Sequence, residues 1–175
     1  MKFSELVAAF ETYTGVIGEI DDAELAIWFN EAQLDLSMDF GPIKTVQVMP
    51  DESGVAAVPS DSLRVLDCDA DYGWNAAGQM VFRTTDPVAV TYRAMPGVQF
   101  TGADPEQLPD LPNYLHYLLA IFAAARYWDR ESEGDTEEMN LANKWLVTYN
   151  AAKKEFISKL NQAGAFVDRW IIVED

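Results

Sequence analysis

Apolar residues recur every three or four positions at both ends of the chain and every second position in parts of the middle. Over residues 2–14, Phe3, Leu6, Val7, Phe10 and Thr14 line one helical face, with Glu5 and Glu11 elsewhere on the wheel. Gly15 and Gly18 break that pattern. A second helix starts after Asp21, whose side chain suits an N-cap, and Glu24 stands three residues on, the spacing of a capping box. Its apolar face is Leu25, Trp28, Phe29, Ala32 and Leu36, and Gly41-Pro42 stops it.

The period then changes. Short β-rich runs at 44–49, 54–58, 63–68, 79–84 and 88–95 alternate with turn signals at 50–54, 59–62, 71–78 and 85–87. In the last run Val88, Val90 and Tyr92 alternate with Ala89, Thr91 and Arg93, as in a half-buried strand. Residues 44–96 therefore read as one small antiparallel β unit, and 97–112, rich in Gly, Pro and Asp, as loop.

Helical spacing returns over about 113–131, with Leu115, Leu118, Leu119, Phe122, Ala123 and Arg126 down one face. A fourth helix opens at Asp135, with Glu138 three residues later, and carries Ala142, Trp145, Tyr149, Ala152 and Phe156; Gly164 suits its C-terminal cap. The aromatic residues of these stripes are core by spacing alone. The expected fold class is α+β. It is a four-helix bundle (1–43 with 113–164), interrupted between helices 2 and 3 by the β unit and followed by an extended tail, 165–175. A chain of 175 residues buries enough surface to fold without a staple.

Charge narrows the functions. The chain has 12 basic and 29 acidic residues, a net −17, which disfavours sequence-tolerant nucleic-acid binding and anionic membranes. Residues 1–43 hold nine acids and one base, whereas 113–175 hold ten acids and seven bases, so the cations concentrate late. The start of the chain shows no continuous apolar leader, and the longest apolar run, 118–125, is too short to span a bilayer, so the expectation is a soluble protein of a reducing compartment.

Candidate chemistry is sparse, and no cofactor is expected. Cys68 stands alone, which excludes an internal disulfide framework and a multi-cysteine zinc site; it reads as a small core hydrophobe. Asp67, Asp69 and Asp71 match the first ligand positions of a calcium loop. That match fails where a glycine and a bidentate glutamate are required, at Tyr72 and Gly78, so the three read as a solvated strand face. Gly73 to Gly78 has phosphate-loop spacing, but Gln79 and Met80 follow where Lys and Ser or Thr belong. His116 lacks any nucleophile motif around it and reads as structural or exposed. No catalytic constellation emerges. The tail, with Phe166, Trp170, Ile171, Ile172 and Val173, either folds back as an edge strand or docks on another chain.

Three stretches carry a resemblance: the helix from Asp21 to Gln33, the passage Leu108-Pro109-Asp110-Leu111-Pro112-Asn113-Tyr114-Leu115-His116, and the helix ending Ala123-Ala124-Ala125-Arg126-Tyr127-Trp128. They resemble the head–tail connector (adaptor) proteins of tailed bacteriophages. The β unit ending in Val90-Thr91-Tyr92-Arg93 is also similar to the tubular adaptors of short-tailed phages. The resemblance implies a structural, non-enzymatic protein of the virion, made in the host bacterial cytoplasm. Such proteins form a homo-oligomeric ring, commonly twelve-fold, beneath the portal protein and above a tail, stopper or nozzle protein. The ring extends the channel through which DNA leaves without specific binding. The resemblance would give Phe166, Trp170, Ile171, Ile172 and Val173 a portal-docking role. Lys144, Lys153, Lys154 and Lys159 would meet acidic neighbours across the ring contact. An anionic wall also suits a conduit, because phosphate repulsion keeps the duplex moving.

Two other classes compete. An acidic DNA mimic that occupies a DNA-binding protein's groove rests on the net charge of −17 alone, and the acids are scattered rather than gathered on one face. A carboxylate or calcium hydrolase rests on Asp67, Asp69 and Asp71.

Overall fold

A computed structural model describes residues 1–162. The tail residues Phe166, Trp170, Ile171, Ile172 and Val173, and Gly164, lie outside the described residues.

Helix α1 (Phe3–Thr14) buries Phe3, Leu6 and Phe10 and ends at Gly15, whose φ of 76° suits a residue without a Cβ. Helix α2 (Asp22–Phe40) begins as its sequence predicts, with the Asp21 carboxylate accepting from the Glu24 N–H at 2.8 Å. The capping box is only half made, because the Glu24 carboxylate pairs with Arg130 instead, at 2.5 Å. After the strands come a 3-10 turn (Asn113–Leu115), α3 (His116–Glu131) and α4 (Thr136–Gln162). Asp135 accepts from the Glu137 N–H at 2.7 Å and so caps α4.

The four helices exist, but they do not form the expected four-helix bundle. In a bundle each helix gives one stripe to a shared core. Here α3 is itself the core: Leu118 to Ile121 and Ala123 to Ala125 are all buried, which a helix with one buried face cannot achieve. Helices α1, α2 and α4 each pack on it. Its alanines let those neighbours approach closely.

The β region is antiparallel throughout. It makes two three-stranded antiparallel sheets. In the first, β6 (Val88–Ala94) runs between β1 (Ile43–Val48) and β3 (Ser62–Cys68), with Val90 opposite both Val46 and Cys68. In the second, β5 (Met80–Phe82) runs between β2 (Val55–Ala56) and β4 (Tyr72–Trp74). Strand β4 falls where only a turn is expected. Its three residues are all exposed, so pairing with β5 makes it a strand and no burial pattern announces it. Ala56, Met80, Phe82, Val88 and Val90 fill a small core between the sheets, separate from the helical core. The first sheet is not detached from the helices, since β3 and β6 touch α2. Asp61, just before β3, joins the sheet's edges by accepting from Lys44 Nζ at 2.7 Å and from the Tyr92 hydroxyl at 2.9 Å. Burial and that carboxylate push the Tyr92 hydroxyl up to about 12.

Residues 95–112 carry no helix or strand, yet they are a strap tied across α1 and α2. Phe100 is buried against Phe3 and Phe29. Gln33, also buried, donates to the Val98 carbonyl (2.6 Å) and accepts from the Asp110 N–H (2.8 Å). The first turn of α1 donates to the same strap, from Phe3 to Gln107 and from Ser4 to Pro105.

Candidate functional site

The residues that suggest metal chemistry are not gathered. Asp67 lies in β3, whereas Asp69 and Asp71 lie beyond its end, and all three are exposed. The Asp69 carboxylate accepts from the Ala89 N–H at 2.9 Å, a backbone role that extends the β3–β6 pairing. Among the described residues, no group of three His, Cys, Asp or Glu side chains converges as a metal would need. Cys68 is partly buried against the small β core. His116 is buried and clamped: its Nε2 lies 2.8 Å from the Leu111 carbonyl and its Nδ1 2.6 Å from the Met1 amino nitrogen. Nε2 must then carry the proton and Nδ1 must accept, so the neutral ring is held in one tautomer. Burial, reinforced by the Met1 ammonium, pushes its pKa below the ordinary 6.5.

The surface chemistry is more informative. Beyond its first turn, α2 exposes only Ile27, Glu31, Leu34 and Met38, at spacings of four, three and four, a single narrow strip. Three of the four are large and apolar; Ile27 is 58% exposed. Glu31 in the middle is bridged by Arg126 of α3 at 2.9 Å, so the two together carry no net charge. So α2 is apolar on both sides, the pattern of a helix meant to be covered. Helix α4 also carries an exposed apolar patch: Met139 and Leu146 share a face seven residues apart, with Asn143 between them, and Val147, 67% exposed, lies beside Leu146. In the sequence only the core face of each helix stands out, because whether the remaining apolar residues are covered or exposed is decided by tertiary packing.

The α4 lysines divide. Lys153 turns inward and is already engaged, with its Nζ 3.0 Å from Asp35 and 3.3 Å from Asp39 on α2. The Tyr149 hydroxyl donates to the same Asp35 carboxylate at 2.5 Å. Lys153 therefore joins α4 to α2 within one chain. Lys144 and Lys154 are exposed, and Lys159 pairs with Glu155 at 2.6 Å on the exposed side.

A pocket of about 360 Å³ opens where the C-terminal end of α2, the strap and the last turns of α4 meet. Phe40, Ile43, Leu111 and Leu160 give it apolar walls, and Arg93 and Tyr114 give it polar groups. The strand alternation places Arg93 on the outer side of β6, but the residue is buried, 7% exposed. The reason is tertiary. The end of β6 passes under the last turn of α2, and Arg93 Nη1 donates to the Gly41 carbonyl at 3.0 Å, at the negative end of that helix. Among the described residues, no carboxylate comes within ion-pair distance of this guanidinium. Burial pulls its pKa down; the Asp39 carboxylate, beyond ion-pair distance, opposes that in part, and a second cation, Arg64, facing it across the β3–β6 pairing, adds to it. The pocket's own carboxylates are committed elsewhere: Asp39 to Lys153, and Asp110 to the Gly97 N–H at 2.8 Å.

No described helix is long and apolar enough to cross a membrane. No protein-family model matches the chain, and no curated protein matches it.

Proposed function

We propose that the chain is a structural connector of a bacteriophage virion, assembling as a ring beneath the portal and prolonging the channel for DNA. The observation that carries this reading is a pair of unlike exposed apolar surfaces, the strip Ile27-Leu34-Met38 on α2 and the patch of Met139, Leu146 and Val147 on α4. A ring is built from head-to-tail contacts, which need two different surfaces on every protomer. One surface against the other supplies such a contact, and the exposed Lys144 and Lys154 bring positive charge to it. The net charge of −17 suits a wall past which DNA slides without being held. The partners are the portal above and a tail or stopper protein below, at the head–tail junction, after synthesis in the host cytoplasm.

Light scattering on the purified chain across a wide concentration range tests the assembly. A closed species of about twelve subunits is expected, the number the resemblance implies for rotationally closed contacts. A chain that stays monomeric at every concentration, alone and with a portal ring, overturns the reading.

A further inference from the structure

A buried arginine without an ion pair is costly unless something anionic visits it, and the one carboxylate whose field favours Arg93, that of Asp39, lies beyond ion-pair distance and is bonded to Lys153. Among the described residues Arg93 makes one hydrogen bond, to a carbonyl, and it faces Arg64 across the sheet, so two cations adjoin in a protein that carries 29 acids. The walls around the guanidinium are aliphatic and aromatic, so the fitting ligand is a carboxylate carried on an apolar segment. A free small anion would leave those walls wet.

The chain itself supplies such a segment. Leu160 in the last turns of α4 forms part of the pocket wall, and Phe166-Val167-Asp168-Arg169-Trp170 follows shortly afterwards. Asp168 is eight residues beyond Leu160, about 26 Å of chain at full extension, so its carboxylate is within reach of a pocket that Leu160 already borders. A tethered ligand also acts at a high effective concentration, which favours it over a free one.

We propose that the Arg93 pocket is the intramolecular receptor for residues 163–175, with the Asp168 carboxylate held by Arg93 and the neighbouring Phe166, Val167 and Trp170 laid against Phe40, Ile43, Leu111 and Leu160. This does not rest on the ring. It assigns the pocket a ligand within one chain.

The test uses the full-length chain with Phe166→p-benzoylphenylalanine, photolysed and mapped by mass spectrometry, in a mixture of isotopically light and heavy copies. Crosslinks to residues 40–43 or 109–114 within one copy are expected. Arg93→Met should lower their yield roughly tenfold, the loss expected for a charged hydrogen bond, and Arg93→Lys should keep part of it. Should Arg93→Met unfold by circular dichroism, Asp168→Asn decides, because it leaves the pocket intact and must cause the same loss. Crosslinks confined to other surfaces, crosslinks joining light to heavy copies, or a yield unchanged by Asp168→Asn would overturn the proposal.

Discussion

Asn30 grips the backbone of Phe100 from both sides: its Nδ2 donates to the Phe100 carbonyl and its Oδ1 accepts from the Phe100 N–H, each at 2.8 Å. One amide side chain on α2 thus does for the strap what a strand would do for a sheet edge. It satisfies both backbone groups of a residue whose ring is in the core. Asn30→Ala should therefore destabilise the chain by about 1–3 kcal/mol, since it strands a donor and an acceptor near the core. The urea midpoint is the readout. Asn143→Ala, on the exposed side of α4, should stay within about 0.5 kcal/mol.

Gly102 brings the strap's backbone close against the start of α2. Its φ is +79°, and a Cβ there would lie 2.6 Å from the Asp22 carbonyl carbon and oxygen. Both the backbone region and the space exclude a side chain. Gly102→Ala should cost about 1–3 kcal/mol in strain. For a chain of this size each kcal/mol lowers Tm by about 2–4 °C, which calorimetry reads directly.

The same contrast decides what the sequence tells and withholds. The Asp21 cap, the Gly15 stop and the alternation of Val88, Val90 and Tyr92 are local, and the structure contains all three. Asn30 and Gln33 are ordinary polar helix positions until residues 98–110 are brought over them; nothing within α2 announces a strap. Arg93 fits the polar half of the alternation, and only the passage of β6 under Gly41 buries it. The bundle expectation failed for a related reason. A stripe of Leu118, Leu119, Phe122 and Ala123 looks one-sided, but Ala120, Ala124 and Ala125 are small enough to be buried on the other sides too. Alanine carries too little hydrophobic signal to mark a face.

His116 makes stability depend on pH. Its pKa is lowered in the folded chain, chiefly by burial, so the unfolded chain binds the proton more readily. Unfolding then takes up a proton as pH falls below about 6.5. The neutral-histidine contribution is fully present above that value and is lost as pH drops through the folded pKa. Protonated Nδ1 also loses its role as acceptor for the Met1 amino nitrogen. Stability measured by urea titration should fall between about pH 6.5 and the carboxylate range near 4. His116→Gln should flatten that slope while lowering stability at neutral pH.

The proposed ring contact makes a prediction that a symmetric dimer does not share. Leu34→Glu spoils the α2 strip and Leu146→Glu spoils the α4 patch, and both side chains are exposed, so neither variant disturbs the core. If each contact joins the α2 strip of one copy to the α4 patch of the next, each variant alone should be monomeric. Mixed together, the two variants keep one good surface each, and these are complementary. They should form a heterodimer and stop there, because no further good surface remains on either partner. Were the contact instead α2 against α2, the Leu146→Glu chain would still self-associate and mixing would add nothing. Native mass spectrometry of the variants, singly and mixed in equal amounts, separates these outcomes by mass alone.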